Sequence, residues 1–293
     1  MDWAKKIRSQ HLFLAVSAVS APTVYVQSEF DAYKEWTGLD FLFVGGIVHG
    51  RSMLGYGHST MGAAVWIGLS ATTNLSLGVI PGADSKTAVL AGAVIAAGAA
   101  LVPDVDHKGT TISKALPPIT NGLSKIINKL SGGHRKGTHS LLGLAASTAL
   151  VLFVLQKTWT ISIDERPFGV TVALFVLFLG SFASQALKLK IGKLESWPTA
   201  LVLAIIAGLT FPSDAAWLPF AFGIGYLVHL VGDTITTDGI PWLYPFFKQD
   251  FAIPVLGDTG SIREKSLTGL LGLYFSVVLI LELASKSPWV SPV

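Results

Sequence analysis

Long apolar blocks constrain this chain more than any other feature of its sequence. A helix that crosses a membrane needs about 20 mostly apolar residues, because the hydrocarbon core is about 30 Å thick. Seven blocks approach this length, although the one bracketed by Pro198 and Pro212 is short. They span residues 61–80, 87–102, 141–156, 168–187, 199–210, 217–231 and 267–284. The sequence therefore predicts seven membrane-spanning helices after residue 57.

The composition agrees with a lipid environment. Only 13% of the residues are charged and the mean hydropathy is +0.58, whereas soluble domains contain about 25% charged residues. These values exclude a soluble enzyme of ordinary composition, a disordered chain and a coiled coil. The chain has no cysteine, so any metal must be bound by His, Asp, Glu or main-chain oxygen.

The first 56 residues form a separate predicted unit, and residues 57–293 form the membrane domain. A basic cluster at residues 5–8 precedes an apolar stretch at 12–26, and a second apolar stretch follows at 41–48. A signal peptide cleaved near Ala18-Val19-Ser20 fits this pattern, and so does an uncleaved anchor. We favour the anchor, because the rest of the chain has its own insertion signals.

The distribution of Lys and Arg predicts the orientation. With seven alternating spans, thirteen of these residues fall on one side of the membrane and four on the other. The positive-inside rule assigns the richer side to the cytoplasm. This excess also accounts for the basic pI. We expect no nucleic-acid partner, because no basic helix interleaved with aromatic residues is present.

Histidines and acids collect in four short strings at the ends of the predicted spans. The strings contain His58; Asp104, Asp106 and His107; His134, Arg135 and His139; and His229 and Asp233. A lone His near a span end is often an interfacial residue, and the acids after Pro103 could simply end a helix. His229 lies inside an apolar block, where an ionisable group is costly and is a functional candidate. The alternating topology places all four strings on the same membrane face, which favours one shared site.

The spacing within the strings suits metal ligation. His229 and Asp233 are four residues apart, so a helix presents both on one face. Asp104 and Asp106 would share a side if their segment were extended. Gly137 lets the loop between His134 and His139 bend, and Thr138 and Ser140 are expected to cap the following helix.

Nitrogen and oxygen donors of this kind favour zinc over manganese or iron, and a cluster of two or three metals is compatible with their number. The predicted fold class is an all-α, polytopic membrane helical bundle with a metal site at one membrane face. Arg135 and Lys136 could contact an anionic substrate or simply follow the positive-inside bias. The Pro- and Gly-rich connection after Asp233 could be a lid, a wall that contacts phosphate, or a plain interfacial loop.

The four strings, with Thr259-Gly260-Ser261 and Glu264, resemble the YdjM-like family of inner-membrane, predicted metal-dependent hydrolases over residues 57–284. The resemblance implies an arrangement distantly similar to zinc-dependent phospholipase C and related zinc nucleases. The ligands that it implies are His58, Asp104, His139, His229 and Asp233, with Asp106 and His134 as further candidates.

The leading hypothesis is a hydrolase of the inner membrane, with its metal site at the cytoplasmic face. It would cleave a phosphoester in a lipid or lipid-linked substrate that arrives from the bilayer, with Asp106 as base and Arg135 holding the phosphate. A transporter or metal-ion carrier could use the same residues. However, a transport site is expected near the midplane with paired sites in two repeats, and the sequence has no internal repeat. A scaffold with structural zinc is the third alternative.

Overall fold

A computed structural model describes residues 53–107, 110, 112, 119–188, 196–212 and 215–289. The described residues belong to one compact unit, Ile47–Val293. The predictions for the N-terminal extension up to residue 52, including the choice between anchor and signal peptide, lie outside the described residues.

Within the described residues the chain is mostly α-helical, as predicted, and each of the seven apolar blocks overlaps one helix. The elements in chain order are α1 Gly55–Ser70, α2 Lys86–Ala99, a 3₁₀ helix Val102–Asp106, α3 Ile119–Leu130, α4 Leu141–Leu155, β1 Thr160–Ile163, β2 Arg166–Gly169, α5 Val170–Ala186, α6 Ser196–Thr210, α7 Leu218–Thr234 and α8 Ile262–Ala284.

The predicted bounds of the first span, 61–80, are wrong. Helix α1 begins six residues earlier and ends at Ser70. Beyond it, the backbone N–H of Thr73 bonds to Ser76 Oγ at 2.8 Å, and that of Thr72 bonds to Glu282 Oε2 at 2.8 Å. Side chains that bond to the backbone in this way compete with helix formation. Apolarity alone did not reveal this stop.

Helix length separates the apolar elements into two groups. The segment Lys86–Asp106, which contains α2 and the 3₁₀ helix that follows it, has 21 residues, and Ile262–Ala284 has 23 residues. Both are long and apolar enough to cross a membrane. Leu141–Leu155, Val170–Ala186 and Trp197–Thr210 are shorter apolar helices. The seven-span topology therefore remains a prediction, while two candidate spans are present among the described residues.

A β-hairpin and helix α3 were not predicted. Strands β1 and β2 pair antiparallel with Ile163 opposite Arg166, and Asp164 and Glu165 form the turn with φ of 47° and 65°. This two-residue turn in left-handed backbone matches the twist of a hairpin. Helix α3 lies inside the predicted connection between the second and third spans. Its sequence contains no long apolar block, so the length criterion for a span does not predict it.

Helix α2 packs against α1, α5 and α7. A Cβ atom at Gly62 of α1 would lie 2.6 Å from the carbonyl oxygen of Ala96, and one at Gly225 of α7 would lie 2.3 Å from the same oxygen. Glycine therefore lets both backbones approach α2 at one level. This packing brings His58 and His229 close to the C-terminal end of α2.

Candidate metal centre

Five side chains from the four sequence strings meet beyond the C-terminal end of α2. Helix α1 provides His58, and α7 provides His229 and Asp233. Asp104 lies in the 3₁₀ helix, and His139 directly precedes the N-cap of α4. The three histidines and Asp233 are fully buried, whereas the Asp104 side chain is 19% exposed. The structure thus gathers all five ligands implied by the family resemblance.

Two imidazole nitrogens each lie within 3.9 Å of the same two carboxylate oxygens, and we call this set of four atoms the donor cluster. It consists of His139 Nε2, His229 Nε2, Asp104 Oδ1 and Asp233 Oδ2. The two nitrogens are 3.1 Å apart. His139 Nε2 lies 3.5 Å from each of the two oxygens, and His229 Nε2 lies 3.5 Å from Asp233 Oδ2 and 3.9 Å from Asp104 Oδ1. Ligands of a tetrahedral zinc ion are separated by about 3.3 Å, so these distances fit a metal.

The other ring nitrogen of His229 fixes the orientation of its imidazole. Nδ1 lies 2.7 Å from the carbonyl oxygen of Ala100, the residue that ends α2. A carbonyl oxygen only accepts, so Nδ1 carries the hydrogen. The neutral ring therefore presents an Nε2 lone pair to the donor cluster, as a metal-ligating His does.

A relay through a hydroxyl group orients His139 in the same way. Thr138 Oγ1 donates to Asp106 Oδ2 at 2.6 Å and lies 3.1 Å from His139 Nδ1. Because the hydroxyl hydrogen is used on the carboxylate, the oxygen accepts from Nδ1–H. Both Nε2 atoms then face each other, and either a shared proton or a metal ion between them offsets the repulsion of their lone pairs.

Unsatisfied polar atoms give a second test of fit. Both ring nitrogens of His58 and both carboxylate oxygens of Asp233 are buried without a hydrogen-bond partner among the described residues. His58 Nε2 lies 3.2 Å from Asp233 Oδ1, and its ring stacks on His229 with a centroid distance of 3.9 Å. A buried carboxylate whose oxygens accept no hydrogen bond is costly. The residues present therefore fit a divalent metal bound by nitrogen and oxygen.

The expectation that Asp104 and Asp106 share one side of an extended segment is wrong. Pro103 stands at the start of the 3₁₀ helix that contains both residues. Its fixed φ suits a helix start, and about three residues per turn direct positions i and i+2 apart. Asp104 therefore faces the donor cluster, while Asp106 faces the loop before α4.

Asp106 organises that loop. Its fully buried carboxylate accepts from three groups: His134 Nδ1 at 2.7 Å, the backbone N–H of Arg135 at 3.1 Å, and Thr138 Oγ1. The structure does not bring His134 into the donor cluster, because its Nδ1 is directed to Asp106 and its side chain is 35% exposed. Thr138 and Ser140 were both expected to cap α4. Ser140 does so by accepting a hydrogen bond from Gly143 N, whereas the Thr138 hydroxyl group links Asp106 to His139.

The sequence matches the model of a protein family described as YdjM inner membrane protein. The match covers residues 53–187 and 194–288, which include the donor cluster. The chain belongs to the YdjM family. No curated protein and no solved structure matches it significantly.

The YdjM match includes all of the donor-cluster residues and His58. It also confirms the family resemblance drawn from the four strings and from the late string that ends at Glu264. As a member of an inner-membrane family with two candidate spans and a buried His/Asp cluster, the protein is a membrane protein with a candidate metal site.

Arg135 of this YdjM protein connects the donor cluster to the surface. Its Nη1 lies 3.0 Å from Asp238 Oδ2, and its Nη2 lies 3.6 Å from Asp233 Oδ2. Nη2 is buried and has no hydrogen-bond partner among the described residues. The residue also has a φ of 58°, a conformation that costs energy for a non-glycine residue and is common at functional sites.

Sequence reasoning missed two residues that support the site. Asp238, the partner of Arg135, follows Asp233 in a Thr- and Gly-rich stretch, but nothing distinguished it from a surface acid. Glu264 belongs to the late string, yet its role was not evident. Its buried carboxylate accepts hydrogen bonds from Leu54 N at 2.8 Å and from Gly260 N at 2.7 Å. It thereby holds the start of α1, about one helical turn before His58.

Proposed function

We propose that this YdjM family protein is a multi-pass inner-membrane hydrolase that cleaves a phosphoester in a lipid or lipid-linked substrate. It would use a divalent metal, with zinc as the first candidate. One observation carries the proposal. Two imidazole nitrogens and two carboxylate oxygens converge at separations of 3.1 to 3.9 Å in a largely buried site.

His139, His229, Asp104 and Asp233 would hold the metal. His58 lies against Asp233 Oδ1, where it would support this carboxylate or bind a second ion. Imidazole and carboxylate donors without sulfur are typical of catalytic zinc sites. When bound, the metal supplies a Lewis acid that polarises a phosphoryl oxygen and activates water.

Arg135 would bind and orient the phosphate. A guanidinium group offers planar, charge-assisted hydrogen bonds that match phosphate oxygens. Nη1 donates a hydrogen bond to Asp238. Nη2 lies 3.6 Å from Asp233 Oδ2 without a hydrogen bond to a described residue, so it would donate to a substrate oxygen beside the donor cluster. The hydrogen bond from the Arg135 backbone N–H to Asp106 keeps the side chain aimed in this direction.

Asp106 suits a positioning role better than the base that the sequence suggested. Its carboxylate already accepts three hydrogen bonds, and through Thr138 it orients His139. Such outer partners of a ligating His hold its ring and tautomer. The water-activating role then belongs to the metal and to the groups that surround it.

The membrane placement rests on the apolar helices and the charge bias. Among the described residues, two helices are long enough to span a bilayer, and three further apolar helices are shorter. The positive-inside rule would place the donor cluster at the cytoplasmic face.

An apolar cavity supports a lipid substrate. It has a volume of about 680 Å³ and is lined by residues of several helices, among them Thr60, Ala97 and Phe275. Ala97 lies one turn before Ala100, whose carbonyl oxygen orients His229. An acyl chain in this cavity would therefore lie close to the donor cluster.

The test uses detergent-purified full-length protein, elemental analysis and a panel of phospholipids. We expect zinc to copurify, and His229→Ala to lose both the metal and hydrolysis. His107→Ala is the matched control, because His107 is an exposed histidine outside the donor groups. A His229→Ala protein with full metal content would overturn the site assignment.

The same preparation separates the alternatives. Zinc uptake into proteoliposomes without hydrolysis of any lipid would support a carrier. Tight zinc binding that raises thermal stability, again without hydrolysis or uptake, would support a scaffold.

A further inference from the structure

A polar cavity of about 470 Å³ adjoins the donor cluster. His134 and Arg135 line one wall, and the segment from Asp238 to Asp250 lines the other. Arg135 connects the cavity to the cluster, since it contacts both Asp238 and Asp233. A substrate bound at the donor cluster would therefore extend its polar part into this cavity.

Local structure builds the second wall. The chain turns at Gly239, whose φ is 67°, and Ile240 pairs with Phe251 through two backbone hydrogen bonds of 3.2 and 2.9 Å. This pairing folds residues 241–250 back into a loop, so that Lys248 and Asp250 face the same cavity as Asp238. The Tyr244 hydroxyl group lies close to Gly132, near the first wall: a Cβ atom added to Gly132 would lie 2.6 Å from the hydroxyl oxygen.

The charges of the cavity favour an anion. Arg135, Lys136 and Lys248 contribute three positive charges, and Asp238 and Asp250 contribute two negative ones. Asp238 is already paired with Arg135. The ammonium groups of Lys136 and Lys248 make no hydrogen bond or ion pair with any residue in the described part of the chain. Two cations are thus free to bind a ligand.

We propose that this cavity binds a second anionic group of the substrate, and that Lys136 and Lys248 determine specificity for a headgroup with a phosphate beyond the ester that is cleaved. The inference rests on the proposed hydrolase function, because that function places the scissile group at the donor cluster. It goes beyond that function in assigning a recognition site to residues that bind no metal.

The first experiment measures anion binding without requiring activity. Metal-stripped full-length protein in detergent is titrated with inorganic phosphate by calorimetry at constant ionic strength. We expect Lys136→Gln combined with Lys248→Gln to weaken phosphate binding about tenfold, in line with two lost charge-assisted contacts. The matched control is Lys125→Gln with Lys129→Gln, which removes two exposed lysines of α3 that do not line the cavity.

The second experiment identifies the source of the phosphate. Zinc-loaded protein in nanodiscs receives either a lipid whose headgroup carries an additional phosphate or zwitterionic phosphatidylcholine. We expect the double Lys variant to lower the ratio of kcat/KM for the two lipids about tenfold, mainly through KM for the lipid with the additional phosphate. A weakened response to free phosphate with an unchanged lipid ratio would show that the cavity takes a soluble anion, and would overturn the headgroup assignment.

The cavity proposal and the proposed hydrolase function can be overturned independently. Unchanged phosphate affinity in the double Lys variant overturns the cavity proposal, even if the protein hydrolyses lipids. Absence of hydrolysis across the lipid panel overturns the proposed function, while the calorimetric comparison still decides whether these lysines bind phosphate.

Discussion

His139 Nε2 and His229 Nε2 lie 3.1 Å apart although the residues are 90 positions apart in the chain. Each ring uses its Nδ1 on an oxygen acceptor, the Ala100 carbonyl for His229 and the Thr138 hydroxyl for His139. With both Nδ1 hydrogens committed, the two facing nitrogens are free to share a proton or to bind a metal ion, and the two carboxylates beside them would stabilise either positive charge.

Metal removal should destabilise the protein. Without the metal, the described residues balance the carboxylates of Asp104 and Asp233 only through the neighbouring imidazoles and Arg135. At free zinc of about 100 times Kd, binding adds about 2.7 kcal/mol to the free energy of unfolding. Thermal unfolding of the detergent-solubilised protein should show a lower Tm after chelation and recovery after zinc is restored. The His229→Ala variant should not respond to either treatment, and an equal response there would contradict the prediction.

Asp106→Asn should weaken zinc binding without removing a donor atom. An amide cannot accept from Thr138, His134 and the Arg135 backbone as a carboxylate does, so His139 loses its fixed orientation. Loss of an outer partner of a ligating His typically costs about 10- to 100-fold in metal affinity. Competition with a chromogenic chelator measures the change. Asp164→Asn, in the turn of the β-hairpin where Asn tolerates positive φ, is the control; an Asp106→Asn protein with the control's affinity would exclude the positioning role.

Arg135→Lys should reduce hydrolysis and leave zinc content intact. Lysine keeps the charge but lacks the planar fork that meets Asp238 and a phosphate oxygen together. A lost charge-assisted hydrogen bond of about 1.5 kcal/mol lowers kcat/KM roughly tenfold. Arg166→Lys, on the exposed strand β2, serves as the control. Equal loss of zinc and activity in Arg135→Lys would instead indicate that Arg135 holds the donor cluster together.

Gly225→Ala should destabilise the packing of α7 on α2. The new Cβ atom would lie 2.3 Å from the carbonyl oxygen of Ala96, and overpacking of this kind costs about 1 to 3 kcal/mol. Gly269→Ala in α8 is a matched control, because nothing lies within 4 Å of its Cβ position. There the better helix propensity of Ala should be neutral or favourable by up to about 1 kcal/mol. Unfolding in a denaturing detergent compares the two variants, and equal stabilities would refute the close approach.

Much of the fold follows from local sequence properties. Each predicted apolar block overlaps a helix, because a helix satisfies its own backbone hydrogen bonds while its apolar side chains leave water. The ends of helices depend on individual polar contacts, so the stop after Ser70 escaped prediction. The Thr72 N–H that helps to end α1 bonds to Glu282, which is 210 residues away in the chain.

The sequence predicted which residues form the candidate site, but not the role of each residue in it. His229 and Asp233 are four residues apart on one helix, so their common direction follows from the sequence alone. The roles of Asp104 and Asp106 depend on the 3₁₀ helix between them, and the separate position of His134 depends on its bond to Asp106. No local pattern distinguishes these two carboxylates.

The sequence by itself determined the helical class, the YdjM family and the residue types available to bind a metal, because these depend on apolar length and on short strings along the chain. Only the tertiary structure decided which donor atoms converge and which side chains orient them. Helices α1 and α7 meet at Ala96 through glycines that permit close approach, and the loop before α4 is held by one buried carboxylate. Such contacts join residues far apart in the chain, and their geometry exists only once the helices have packed.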